Sequence, residues 1–404
     1  MEFWTYPQVV DEPFALKVRN FIDENLPVEH RGHRFKRPYH PEFHHKFKVW
    51  QEENLNDVTS EQYAAFRQEA DRAGIEVSGM NATSFVARVL DALGTDEQKA
   101  TVLNDFDEGR ALCSLGYTEP DSGSDVAAAK TRADRDGDLW VINGQKMFTS
   151  NADVSTYVFL LTRTNWDVPK HRGLTMFLVP LDSPGLEVRV VETLGYHHTC
   201  MTFYTEVRVP DSARVGGMDE GWSVMRYALD VEHGAAPRRP RRGTQAGERP
   251  RQAPVLGNSN SQAGAVIART VEWASQSPAG GGDRPIDDPL NRQRLARLMV
   301  RDEVRRLIDR RNDPAARQPG VGNGNKLLWS ELYLEASAAC LDMVGIEGTV
   351  PYTEPDAPVE GWVDFAYRGA PVSTIAGGCS EVQRDVIAER RLGLPKQRGR
   401  PNSN

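Results

Sequence analysis

The hydrophobic pattern of the chain changes period twice, and this restricts the fold more than any single residue does. Apolar residues recur at helical spacing in the first hundred residues, in 14–26, 61–73 and 84–93. Four short runs rich in β-branched and aromatic residues then follow, separated by Gly, Pro and Asp turns, at 156–162, 174–179, 186–191 and 203–209. Helical spacing returns from Gly221, as in 291–310 and 326–344. The sequence therefore predicts a β-domain between two helical regions.

The positions of these changes divide the 404 residues into three expected domains. We expect a helical domain over 1–112, a central β-domain over 113–220 and a helical domain over 221–404. A chain of 404 residues is long enough for two or three buried cores. Segment 237–254 of the last domain repeats proline and arginine, which predicts an extended, irregular stretch. The fold class is α+β.

Charge, hydropathy and cysteine use exclude several classes of function. The net charge of -8 argues against a general nucleic-acid binder. The sequence contains no run of about eighteen apolar residues, so no membrane span is predicted. The N-terminus lacks the pattern of a signal peptide, so a cytoplasmic protein is expected. The four cysteines lie far apart without paired spacing, which favours reduced thiols over a zinc site or a disulfide framework.

Three separate runs carry the chemical information. Residues 115–125 read LGYTEPDSGSD, a turn-prone stretch rich in hydroxyls and backbone donors that suits a loop around a phosphate or the edge of a ring. Residues 142–150 read INGQKMFTS, and residues 376–395 read AGGCSEVQRDVIAERRLGLP. The first two runs lie a short distance apart, and their ordered pairing is the stronger signal.

These runs together resemble the acyl-CoA dehydrogenase family of flavoenzymes. The resemblance implies an N-terminal helical domain, a β-barrel domain and a C-terminal helical bundle. It also implies FAD-dependent α,β-dehydrogenation of an acyl-CoA thioester, with electrons passed to an electron-transfer flavoprotein. Such a reaction needs a carboxylate in a dry slot to remove the α-proton, while the redox chemistry belongs to the cofactor.

Two positions supply this carboxylate in different branches of the family. The commoner position is occupied here by Gly377, which has no side chain to act as a base. The other lies on the first long helix after the β-domain and matches Glu232. Met225, Leu229 and Glu232 share one helical face, so the acid stands on an apolar stripe. A salt bridge at the helix end is the alternative reading, and the complementary exchange of Gly and Glu favours Glu232 as the base.

The resemblance also implies a set of cofactor contacts. Thr118, preceded by Tyr117, corresponds to the residue at the pyrimidine edge of the isoalloxazine, and Ser124 to the serine near the pyrophosphate. Phe148 stands where the family often has a tryptophan against the flavin, and Ser150 where a hydroxyl meets the reactive ring nitrogen. The remaining expected contacts are Gly345, Gly348, Cys379 and Glu381. From the residues alone, without the resemblance, Phe148 is instead expected to be a core residue of a strand.

The sequence departs from the family in one respect that keeps other functions open. An Arg-x-x-Phe-Gly run that reaches a neighbouring subunit's flavin is missing, and segment 237–254 stands near its place. The alternatives are a flavin-dependent monooxygenase or oxidase on the same fold, and a non-catalytic partner subunit of a mixed acyl-CoA dehydrogenase. Either a homo-oligomer or a mixed oligomer is therefore expected.

Overall fold

The computed structural model describes 11–26, 41–55, 81–195, 198–232, 262–276, 282–311, 321–351 and 356–395, with the single positions 58, 62, 65, 66, 69, 70, 73 and 354. Most of the predicted helix 61–73 and all of segment 237–254 lie outside these residues. The chain divides into two compact units. The first, unit 1, contains Met1–Thr193 and His197–Glu232, and the second, unit 2, contains Leu194–Tyr196 and Val255–Asn404. The three-domain division stays a prediction.

Unit 1 begins with helices that pack through aromatic residues. These are α1 (Glu12–Asn25), α2 (Pro41–Asn54) and α3 (Asn81–Leu93). Asp11 caps α1 by accepting a hydrogen bond from the Phe14 backbone N–H at 3.0 Å. Burial of apolar surface holds α1 and α2 to their surroundings, through a cluster that includes Val18, Ile22, Phe43, Phe47, Trp50 and Phe66. Three short helical segments follow α3, at Asp96–Gln98, Lys99–Leu103 and Asn104–Asp107.

Eight strands form one sheet in unit 1. They are β1 (Cys113–Gly116), β2 (Arg132–Asp136), β3 (Leu139–Lys146), β4 (Tyr157–Arg163), β5 (Leu174–Pro180), β6 (Leu186–Val191), β7 (Thr199–Pro210) and β8 (Arg214–Val215). The order is β6-β7-β3-β2-β4-β5-β8, and β1 pairs with β4. The β1–β4 pair is parallel, with Leu115 opposite Phe159. Most other neighbours are antiparallel.

The central strand β4 is buried on both faces because its side chains alternate between two cores. Phe159 and Leu161 face a cluster shared with α3 and with α4 (Gly221–Glu232). Val158 and Leu160 face a second cluster, which is built from β3, β5 and β7. The sheet therefore carries α3 and α4 on the face of Phe159, and this arrangement positions the site described below.

Unit 2 is helical in the described residues. Its helices are α5 (Gln262–Ala274), α6 (Pro289–Arg311), α7 (Val321–Val344), α8 (Trp362–Ser373) and α9 (Ser380–Val386). Their core includes Val266, Ile267, Leu298, Leu332, Tyr333, Ala336 and Val363. Among the described residues, no helix is long and apolar enough to cross a membrane, and no group of three metal-ligating side chains forms. All four cysteines are free, and three of them are buried.

The order helix, sheet, helix confirms the predicted fold class, and the four predicted strands match β4 to β7. The β7 strand begins at Thr199, four residues before the predicted run. Strands β1, β2, β3 and β8 were not predicted individually. The β2 sequence RADRD carries mostly exposed charged residues, so no apolar alternation marks it, and its pairing with β3 holds it in the sheet.

Candidate cofactor and active site

The loop after β1 is closed by a tight turn from Glu119 to Ser122. The two residues exchange backbone hydrogen bonds, Glu119 N to Ser122 O at 3.0 Å and Ser122 N to Glu119 O at 3.1 Å. Pro120 suits the second position of such a turn because its ring fixes φ. Thr118, the predicted cofactor contact, is half-buried immediately before this turn. The preceding Tyr117 packs edge-on against Phe159, with ring centroids 6.2 Å apart.

A buried ion pair joins this loop to the end of β3. The Lys146 ammonium donates to Glu119 Oε1 at 2.8 Å and to the Tyr117 carbonyl at 3.2 Å, and Lys146 is 0% exposed. The Glu119 carboxylate also accepts hydrogen bonds from the backbone N–H groups of Lys130, at 2.7 Å, and Thr131, at 2.8 Å. One carboxylate therefore binds the end of β3 and the start of β2 to the loop.

The electrostatics of the pair follow from its burial. Burial lowers the pKa of Lys146 to about 8, although the negative charge of Glu119 opposes this change. Burial alone would raise the pKa of Glu119, but Lys146 and the two backbone donors hold that pKa below its ordinary value. At neutral pH both groups are charged, because each stabilises the ionised form of the other.

The chain reverses sharply after β3, and this turn presents two of the predicted contacts to solvent. Phe148 has φ 58° and Asn151 has φ 65°, which are left-handed conformations that non-glycine residues rarely adopt. Phe148 lies outside the strand and is 58% exposed, so the interpretation of Phe148 as a core strand residue is wrong. The exposed Ser150 hydroxyl lies 3.0 Å from the Thr199 hydroxyl of β7.

The structure brings the loop and the turn into direct contact. The Met147 N–H donates to the Thr118 carbonyl at 2.8 Å, so Thr118 lies beside the turn that carries Phe148. Each segment also contains a buried hydroxyl, Ser122 Oγ in the loop and Thr149 Oγ1 in the turn, with no hydrogen-bond partner among the described residues. An exposed aromatic face with hydroxyls beside it fits a flat ring that has hydrogen-bonding edges, as a flavin has.

The other end of the loop, at Ser124, is held by basic residues. Ser124 is exposed, and the neighbouring Asp125 pairs with Lys170 at 2.6 Å. Arg163, at the end of β4, is buried, and its guanidinium donates to the carbonyls of Ala127 at 2.6 Å, Ala129 at 3.2 Å and Lys170 at 2.6 Å. Burial lowers the pKa of Arg163. The turn after Ser124 is thereby fixed to the sheet.

The expected base, Glu232, is the last residue of α4, and its side chain lies outside the described residues. The helix that carries it is well anchored. Val224, Met225 and Ala228 are buried in the core that α4 shares with β4 and β5. Position 232 lies seven residues after Met225, so the backbone places it on the same helical face.

The remaining predicted contacts lie in unit 2. Gly345 follows the end of α7 with φ 77°, a left-handed position that favours glycine, and Gly348 is buried. Cys379 precedes the first residue of α9. The pKa of Glu381, in the first turn of that helix, is lowered by hydrogen bonds from its own backbone N–H and from the Cys379 thiol. The structure thus brings Thr118, Phe148 and Ser150 together within unit 1.

Sequence reasoning missed the groups that hold this site in place. The sequence patterns do not single out Lys146, Arg163 or Thr199, and Glu119 stands within the turn-prone run 115–125 with no role of its own. One signal was present: Lys146 stands two residues beyond Gly144 and four beyond the buried Ile142, so strand alternation turns it inward. A lysine on an inward face needs a partner, because an unpaired buried charge is costly.

Comparison with known proteins gives a consistent assignment. Residues 114–207 match the family model "Acyl-CoA dehydrogenase, middle domain" and residues 248–392 match "Acyl-CoA dehydrogenase, C-terminal domain". The chain is 34% identical over 341 residues to Acyl-CoA dehydrogenase FadE26 of Mycobacterium tuberculosis, covering 82% of this chain and 80% of that protein.

Solved structures agree with this match. The ChsE4-ChsE5 complex from Mycobacterium tuberculosis contains a chain that is 30% identical, with a TM-score of 0.74, and the match covers 98% of this chain and all of that one. The Tcur3481-Tcur3483 steroid ACAD contains a chain that is 26% identical, also with a TM-score of 0.74, over 95% of this chain and 97% of that one.

Proposed function

The chain belongs to the acyl-CoA dehydrogenase family of oxidoreductases, and from this premise we propose that it binds FAD and oxidises an acyl-CoA thioester to the α,β-unsaturated thioester. One observation carries the proposal. The loop with Thr118 and the turn with Phe148 and Ser150 lie in hydrogen-bonded contact and present an exposed aromatic ring beside hydroxyl groups. Electrons would leave through an electron-transfer flavoprotein.

Each residue of the site has a defined task in this reaction. The flavin, when bound, supplies the hydride acceptor for the β-carbon. Phe148 would offer its ring face to the cofactor, and the hydroxyls of Thr118 and Ser150 would hydrogen-bond to its edges. Ser124, on the loop end fixed by Arg163, would meet the pyrophosphate of the cofactor. The protein's share of the chemistry is to orient the thioester and remove the α-proton.

We propose Glu232 as the group that removes this proton. Gly377 stands at the commoner base position with φ 66°, and the neighbouring Gly378 has φ 88°. A glutamate at 377 would be strained in this left-handed conformation. The helix α4, in contrast, is firmly packed up to Ala228, one turn before Glu232. A carboxylate shielded from water there would gain basicity.

Spectroscopy of the purified chain tests the proposal. We expect a yellow protein whose flavin absorbance bleaches on addition of an acyl-CoA substrate and which reduces an electron-accepting dye. Glu232→Gln should lose turnover by about 10³-fold or more while binding FAD as before, because only the base is removed. Glu220→Gln, which removes an exposed carboxylate just before the same helix, is the matched control.

Two outcomes would contradict the proposed base and reaction. If Glu232→Gln kept its turnover, the base would have to be assigned elsewhere. Consumption of oxygen with an externally reduced flavin, unaffected by Glu232→Gln, would instead indicate the monooxygenase or oxidase reaction.

We also propose a bulky acyl group as substrate and a second, related chain as partner. The two structures compared above are a ChsE4-ChsE5 complex and a Tcur3481-Tcur3483 steroid ACAD, each named for two chains. In this chain, α6 exposes Val300, Val304 and Leu307 along one helical face. Their exposed fractions of 63%, 45% and 47% suit burial against another subunit.

Assembly and substrate class can be measured together. Mass photometry should show an oligomer that Val304→Asp dissociates, whereas Val372→Asp, which alters an exposed apolar residue of α8, should leave it intact. A panel of straight-chain, cyclic and sterol-type acyl-CoA thioesters should bleach the flavin best with the bulky members. A colourless chain that turns yellow and active only with a co-expressed relative would assign it the role of a partner subunit.

A further inference from the structure

The ion pair of Lys146 and Glu119 is the most deeply buried one in the described part of unit 1, with side chains 0% and 6% exposed. Transferring two charges out of water costs free energy that their attraction rarely exceeds, and well-packed apolar residues can stabilise such a position equally well. Stability alone therefore does not explain why the pair is charged. Its geometry offers another explanation, because an ion pair with directed hydrogen bonds defines where its attached segments lie.

Four directed hydrogen bonds converge on the pair. They fix the Tyr117 carbonyl, the backbone of Lys130 and Thr131, and the end of β3 relative to one another. Tyr117 immediately precedes Thr118, and Lys146 is two residues before Phe148. Both predicted flavin-binding segments therefore begin within two residues of the pair along the chain.

The strand that carries Lys146 ends at that residue. The register of β3 against β7 shifts between Ile142 and Gly144, and Lys146, opposite Thr202, is the last paired residue before the turn. Beyond Lys146 the backbone enters the left-handed turn at Phe148. An apolar residue at position 146 could fill the space, but it could slide along its neighbours without losing a directed bond.

We propose that Lys146 and Glu119 are positioning residues of the cofactor site, which hold the Thr118 segment and the Phe148–Ser150 turn in one preformed arrangement before the flavin binds. This inference rests on the proposed function, since the flavin is what the two segments would contact. Preorganisation of this kind strengthens binding because less ordering remains to be done when the ligand arrives.

Flavin titration of four variants tests the proposal. The variants are Lys146→Met, Glu119→Gln, the double variant with both changes, and Lys130→Met as matched control. Lys130→Met removes an ion pair with Asp121 in the same loop, whose side chains are 65% and 73% exposed, and it keeps the backbone N–H that Glu119 accepts from. The apoproteins are titrated with FAD, the Kd is read from flavin fluorescence, and urea unfolding reports their stability.

The double variant separates positioning from simple stabilisation. Each single variant leaves a buried charge or donor unpaired and should be less stable, whereas the double variant removes both charges and should regain much of the lost stability. We expect the double variant still to bind FAD about tenfold or more weakly, and to show a broadened absorption band of the bound flavin. Lys130→Met should stay within about twofold of the wild type.

A double variant that is stable and binds FAD as tightly as the wild type would overturn the proposal. Hydrogen exchange of the wild-type apoprotein supplies a second test that needs no variant to fold: the Met147 amide should be protected before any flavin is added, and exchange at the unprotected rate would overturn the proposal as well. A wild-type chain that binds no FAD would instead overturn the proposed function, whatever the Met147 protection.

Discussion

Replacing Arg163 with methionine should destabilise unit 1 and loosen the loop that carries Ser124. Methionine keeps an apolar stem of similar length but removes all donors of the guanidinium. Three carbonyl groups then lose their partner, those of Ala127, Ala129 and Lys170. Lys170 is exposed, so water can replace the arginine there, whereas Ala127 and Ala129 are each 1% exposed.

The expected magnitude follows from the two buried carbonyls. Each unsatisfied buried acceptor costs about 1–3 kcal/mol. Removal of the buried guanidinium offsets part of this loss, because the folded state no longer bears the cost of taking that charge out of water. We therefore expect the free energy of unfolding to fall by about 3 kcal/mol in Arg163→Met.

Urea unfolding, followed by circular dichroism, measures this difference, and hydrogen exchange of residues 125–131 reports the loop. Arg189→Met is the control, since Arg189 forms an ion pair with Glu187 in which the side chains are 63% and 57% exposed. That variant should leave the free energy of unfolding close to the wild-type value, because exposed ion pairs contribute little. If Arg163→Met stayed within about 0.5 kcal/mol of the wild type and its loop exchanged no faster, the reasoning from buried carbonyls would be refuted.

Three further substitutions test other parts of unit 1. Gly144→Ala should cost about 2 kcal/mol or more in urea unfolding, because φ is 145° and an added Cβ would lie 2.7 Å from Thr131 Oγ1. Asp211→Asn should lower the free energy of unfolding by about 1 kcal/mol near neutral pH. Hydrogen bonds from Arg214 and then Trp140 lower the pKa of Asp211 from 3.8 to about 2. The stability that the carboxylate contributes is therefore present above pH 3.8 and is lost as the pH falls through about 2. Phe159→Ala should cost about 3–5 kcal/mol, because the ring is 0% exposed and contacts the core shared with α3 and α4.

Each of these three has a contradicting result. A Gly144→Ala variant as stable as the wild type would mean that the backbone at 144 relaxes without strain. A stability gap for Asp211→Asn that stays constant from pH 5 to pH 2 would exclude the titration of this carboxylate as its source. For Phe159→Ala, a loss no larger than that of the half-exposed Tyr367→Ala would show that the core closes around the vacated space.

The sequence predicted the elements whose patterns are local. The runs that became β4 and β5 are mostly apolar, and α3 and α6 were expected within a few residues of their observed bounds. Strand β2 was not predicted, because four of its five residues are charged, show no apolar alternation and acquire strand conformation only by pairing with β3. Local patterns specify local structure, and pairing partners specify the rest.

The same distinction applies to the site. Thr118, Phe148 and Ser150 could be named because their short runs resemble a known family. The pairing of Glu119 with Lys146 could not be predicted, because the two residues lie 27 positions apart and meet only when the loop after β1 folds against the end of β3. Nor could a pattern show that Phe148 would leave the strand, since its left-handed backbone depends on the turn that follows.

The parallel pairing of β1 with β4 also determines the order in which this protein can mature. Residue 113 meets residue 157 in that pair, while the β2–β3 hairpin lies between them in the chain. Local hairpins close quickly, and distant strands pair slowly because a long loop must first be closed. We therefore expect the β1–β4 pairing, which positions the loop of Thr118, to form after the β2–β3 hairpin. Under the proposed function, flavin binding by a refolding chain should follow the formation of this hairpin rather than precede it.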